Sequence, residues 1–84
     1  MEDNHFYFLQ DFTVQGYFKV EDDLTFLKAN CIIHGQALPG LLRILDVEIN
    51  KVLDEHDAII PEKDITPKLY YQIARRAIGK FNKH

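Results

Sequence analysis

The chain is short of the residues that staple or break structure on their own. Its 84 residues include one cysteine, Cys31, so no internal disulfide framework can form. Tryptophan is absent, and three prolines and four glycines leave few obligatory breaks. No apolar run approaches the ~20 residues needed to span a bilayer. The start, Met1–His5, is acidic and polar, unlike a signal peptide. These absences argue against a membrane span and a secreted disulfide scaffold, so a cytoplasmic protein is expected. The glycines at 16, 35, 40 and 79 form neither a phosphate-binding loop nor a dinucleotide fingerprint.

One more absence concerns charge. No acid follows Asp64, whereas residues 1–64 hold all 13 acids against five lysines and arginines, a net of −8. Residues 65–84 carry five bases, Lys68, Arg75, Arg76, Lys80 and Lys83, a net of +5. The overall −3 therefore hides a strongly polar molecule. Such a chain suits head-to-tail association, a basic helix on a polyanion, or an acidic body on a basic protein.

What is present is apolar and aromatic. Hydrophobic residues make up 46% of the chain, with six Phe and four Tyr, which argues against disorder. At this length the chain is a single domain, residues 1–84, near the lower limit for a self-sufficient core. Rings left over from that core would suit an oligomer or partner interface.

The pattern along the chain predicts an α+β fold, a short N-terminal antiparallel β-hairpin packed on two or three helices. Residues 5–10 and 13–20 read as the two hairpin strands, with Val14, Phe18 and Val20 on one parity. Gly16 suggests a bulge or a close backbone approach. Residues 22–34 are ambiguous. Cys31-Ile32-Ile33 favours a strand, while Leu27-Lys28-Ala29 favours a helix; the acidic start and the Gly35 stop tip the reading to helix. Residues 39–56 read as a helix, because Leu38, Leu42, Leu45, Ile49, Val52 and His56 recur at steps of four and three and Pro39 suits a first turn. Residues 57–65 form a linker. The basic helix over 66–81 has the clearest start, with Thr66 as N-cap, Pro67 at N1 and Ile65 placed to staple onto Tyr70. The expected core is Phe18, Leu42, Leu45, Ile49, Val52, Ile73, Ala77 and Phe81.

Catalytic and metal chemistry finds little support. Cys31 and His34 have a Cys-x2-His spacing, but zinc needs further ligands and none lies nearby in sequence. Asp54, Glu55, His56 and Asp57 read as a solvated helix end. No base, nucleophile and electrophilic stabiliser occur together, so no enzyme activity, metal or cofactor is expected.

Two function classes remain. The first is a non-catalytic protein-interaction module acting stoichiometrically, of the inhibitor, immunity, antitoxin or adaptor type. In it Asp22, Asp23, Asp54 and Asp57 steer a partner with a basic surface and Tyr7 and Tyr17 supply apolar anchors. The alternative is a small dimeric transcriptional regulator whose C-terminal helix sets Lys68, Gln72, Arg75, Arg76 and Lys80 on nucleic acid. A homodimer is expected in either case, through the apolar seam of residues 39–56 or the Tyr70–Phe81 face.

Overall fold

Two two-residue turns organise the chain. In the computed structural model, which describes residues 6–83, three long strands form an antiparallel meander in the order β1-β2-β3: β1 (Phe6–Val20), β2 (Asp23–Leu38) and β3 (Leu41–Leu53). A 3-10 turn at Glu62–Asp64 leads into the one helix, α1 (Pro67–Phe81). Val20 pairs with Asp23 across Glu21-Asp22, and Leu38 with Leu41 across Pro39-Gly40. Gly40 sits at φ 74° after a proline, the residue order a type II turn favours. Glu21 adopts φ 58°, a conformation that is costly for a residue with a Cβ.

This architecture corrects the expected hairpin packed on two or three helices. Residues 6–20 are one uninterrupted strand, not two; His5, the start of the expected hairpin, lies outside the described residues. Residues 22–34 belong to β2. Leu27, Ala29, Cys31 and Ile33 are all fully buried at every second position, so alternation and the β-branched pair Ile32-Ile33 outweigh the local helix propensity. Residues 39–56 are not a helix either. They hold the Pro-Gly turn, β3 and a terminal turn.

The helical look of residues 38–56 has a specific cause. Asn30 pairs with Lys51 and Cys31 with Ile49, leaving Asn50 as a bulge; His34 pairs with Asp46 and Gly35 with Ile44, leaving Leu45 as a second. Each bulge flips the parity of the strand. The residues of β3 opposite the odd positions of β2 are therefore Leu42, Ile44, Val47, Ile49 and Val52, at steps of two and three. Averaged along the sequence, that spacing mimics a helical stripe.

The core lies between one face of the sheet and α1. Phe12, Val14 and Phe18 from β1, Leu27, Ala29, Cys31 and Ile33 from β2, and Val47 and Val52 from β3 pack against Leu69, Ile73 and Ala77. Burying a side chain such as Ile73 contributes roughly 1.5–3 kcal/mol. Ile49 and Phe81 border this core, whereas Leu42 and Leu45, expected within it, are exposed. Thr66 caps α1, its hydroxyl accepting from Leu69 N–H at 3.1 Å. The homodimer expected through a central helix or the Tyr70–Phe81 face loses both contacts, because the first is a strand and the second packs on the chain's own sheet.

Length decides how much of the sheet is covered. Strands of 15 and 16 residues extend roughly 50 Å, in line with the 51 Å long axis of the molecule. A 15-residue helix is only about 22 Å long. It starts beside β3, where Tyr70 Oη donates to Val47 O at 2.6 Å, and ends on β1, where Phe81 stacks on Phe8 at 5.7 Å and meets Phe12 edge-on at 5.8 Å. The Phe8 ring in turn occupies the space above Gly35 that any Cβ there would need. Beyond that ring the helix provides no cover.

Candidate interaction surface

The uncovered part of the sheet is its most apolar part. It consists of the start of β1 and the hairpin tip of residues 36–45, which carries a single charge, Arg43. Six of the eleven exposed large hydrophobic residues gather there: Phe6, Tyr7, Leu9, Leu41, Leu42 and Leu45, each at least half exposed. They stand on both faces of the sheet, and a shallow cavity of about 320 Å³ opens among Tyr7, Leu9, His34 and Leu45. An exposed apolar patch of this kind is a candidate interaction site.

The sheet edges repeat the division. Along β1, α1 reaches over and occupies the outward backbone groups. The Gln72 amide accepts from Lys19 N–H at 2.9 Å and donates to Lys19 O at 3.1 Å. The Arg76 guanidinium donates to Gln15 O at 3.2 Å and Lys80 Nζ to Thr13 O at 2.7 Å. Gly16, at φ 153°, leaves room for the Arg76 guanidinium, which also lies 4.9 Å over the Phe18 ring. Along β3, Tyr70 takes Val47 O and Ile60 N–H donates to Val52 O at 2.8 Å. Among the described residues, no side chain or loop bonds to the outer edge of β3 over residues 41–46. A bare strand edge is a template for pairing with another chain.

The residues singled out from sequence fall into separate places. Tyr7 lies at the apolar end. Tyr17 is on the same open face but ten residues along β1, roughly 33 Å away, edge-on to Phe26 at 5.6 Å. Asp22 and Asp23 are exposed at the β1–β2 turn. Asp54 is occupied with its own turn: its carboxylate accepts from His56 N–H at 2.8 Å and Ala58 N–H at 3.0 Å, and those bonds hold it below the usual carboxylate range. Asp57 pairs with Lys28 at 3.1 Å. On α1, Lys68 and Arg75 are exposed, Arg75 lying 5.8 Å over Tyr71, while Gln72, Arg76 and Lys80 hold the β1 edge.

Cys31 and His34 fall on opposite faces of β2. Burial pushes the Cys31 thiol up to about 11, and His34 pairs with Glu48 at 3.2 Å on the open face. Among the described residues, no three His, Cys, Asp or Glu side chains converge to hold a metal ion, and no helix is long and apolar enough to cross a membrane.

Sequence reasoning missed Phe6, Leu9, Leu42 and Leu45 as surface residues. The available signal was Leu38-Pro39-Gly40-Leu41, a two-residue turn flanked by leucines. Comparison of the chain with protein-family models, curated proteins and solved structures finds no match.

Proposed function

We propose that the chain is a non-catalytic protein-interaction module that binds a protein partner stoichiometrically through the apolar end of its sheet. The observation that carries this reading is the cluster of Phe6, Leu9, Leu42 and Leu45 on a sheet segment that α1 does not reach. Leaving such side chains in water forfeits about 25 cal/mol for each Å² that a partner would cover. The contact is chiefly apolar. The acidic residues expected to steer a basic partner are at the opposite end or tied into local structure, and only Asp22 and Asp23 keep that role open.

A photo-crosslinker placed at Leu42, in nuclease-treated native lysate, tests the reading. A discrete protein adduct, lost on Leu45→Asp while the circular dichroism spectrum stays unchanged, supports it; an adduct of twice the chain mass identifies a second copy as the occupant. No adduct from position 42, or adducts that persist in Leu45→Asp, would remove it.

A further inference from the structure

The seam between α1 and β1 has a chemistry different from the apolar end. Two adjoining cavities run along it. One, of about 670 Å³, is lined by Thr13, Gln15, Arg76, Gly79, Lys80 and Lys83; the other, of about 420 Å³, by Tyr17, Phe18, Tyr71, Gln72, Arg75 and Arg76. Arg76 is common to both, so they form one groove. No acid lines either part.

Among the described residues, the cations of this groove lack carboxylate partners. Among the described residues the ion pairs are Lys28–Asp57, His34–Glu48 and His56–Glu55, and none involves α1. Arg76 and Lys80 donate only to neutral carbonyls, which leaves their full charge and several N–H donors facing solvent. Arg76 and Lys80 are four residues apart on α1, a rise of roughly 6 Å, and Lys83 follows just past its end, so the three line one side of the groove. Gly79 contributes no side chain between them, and the space above it is open. At the other end two rings, Tyr17 and Tyr71, are 68% and 62% exposed.

From this arrangement we infer that the α1–β1 groove binds single-stranded nucleic acid, with phosphates on Arg75, Arg76, Lys80 and Lys83 and bases stacked on Tyr17 and Tyr71. A row of cations next to exposed rings is the combination that holds unpaired strands, since every base offers a π-face and a duplex hides it. Gln72 already spends its acceptor and a donor on Lys19, so it is not free to read a base edge. Eight of the 13 acids that make the whole chain negative fall at 21–23, 54–57 and 62–64, and none of these lines the groove. This site is separate from the apolar end and does not depend on the protein-binding reading.

The test is fluorescence anisotropy of the purified full chain with a labelled oligothymidylate of about 12 nucleotides, a length within the range of known single-strand sites. The expected result is binding whose log K falls with log salt at a slope of about −2 to −3, as four phosphate contacts require. Lys83→Gln should flatten the slope by about 0.7. Tyr71→Ala should weaken binding roughly 5- to 150-fold at unchanged slope. Leu45→Asp should leave binding as it is. Absence of binding at low salt, tighter binding to the duplex, or affinity indifferent to both Lys83→Gln and Tyr71→Ala would each overturn the assignment. The Lys83 and Tyr71 side chains are exposed and, among the described residues, neither makes a side-chain hydrogen bond, and thermal melts of both variants check that they remain folded.

Discussion

The two halves of the sheet are made by the same three strands and differ in what lies over them. In the covered half, Val14, Leu27, Ala29, Cys31, Ile33 and Val52 are at most 2% exposed, and the outer edges of β1 and β3 are bonded to α1 or to the 58–60 segment. In the bare half, leucines of equal hydrophobicity are exposed and, among the described residues, nothing bonds to the β3 edge over 41–46. Strand pairing extends beyond the reach of the helix, because it continues past both bulges to Leu38 and Leu41. What the helix supplies is burial and edge protection, and only over its own ~22 Å.

That contrast is sharpest in the core. Ile73→Ala, at a fully buried position, should cost about 2–5 kcal/mol. Leu45→Ala, in the bare half, should stay within about 0.5 kcal/mol. Urea denaturation of both variants measures this; equal losses would mean that the bare half is buried in the working protein.

A smaller effect is expected where helix and edge interlock. Gly16→Ala forces a side chain onto a positive φ and into the Arg76 guanidinium, for a loss of roughly 1–3 kcal/mol. In an Arg76→Ala background the loss should shrink but not vanish, since the φ strain stays. Strict additivity of the two substitutions would show that Arg76 and Gly16 are uncoupled. Thr66→Ala removes the cap of α1 and should cost about 1 kcal/mol. By hydrogen exchange its effect should appear at the β1 amide of Lys19, which Gln72 protects, and leave residues 36–45 unchanged.

Titration gives the smallest effects. The Asp54 carboxyl is held low by backbone donors in the fold, so its stabilisation is present above the unfolded value of about 3.9 and is lost as pH falls through the lower folded value. Asp54→Asn should therefore flatten the acid limb of a stability–pH curve. Cys31 has the opposite sign. Its thiol is raised to about 11, so the stabilisation of the buried neutral form is complete below the unfolded value and declines as pH rises through 11. A thiol reagent that modifies Cys31 in the folded protein at neutral pH would contradict this.

The helix was legible and two of the strands were not. Thr66-Pro67 is a local signal whose chemistry is complete within one turn, and the structure places α1 directly after it. The alternation of β2 was visible in residues 27–33 but was outweighed by Asp23 and Gly35, which look like helix caps when the pairing partner is unknown. In β3 the pattern misled, because bulges at Leu45 and Asn50 convert a period of two into steps of two and three. These two bulges are defined by the opposite strand, and neither Leu45 nor Asn50 carries the glycine that would mark one locally. The charge split did identify the basic helix. That Gln72, Arg76 and Lys80 would close a strand edge depends on where β1 lies, which sequence does not state.

The order of synthesis gives the clasp on β1 a consequence. All three strands precede α1 in the chain, and each pairs only with its sequence neighbour, so the sheet can assemble on the ribosome before Gln72, Arg76 and Lys80 have emerged. For that interval the nascent chain shows a naked hydrophobic face and two open edges. At roughly 5–20 residues per second the interval lasts seconds at most. A delay while residues 65–81 are still inside the exit tunnel would prolong it, and that species would be the form of this protein most prone to aggregate.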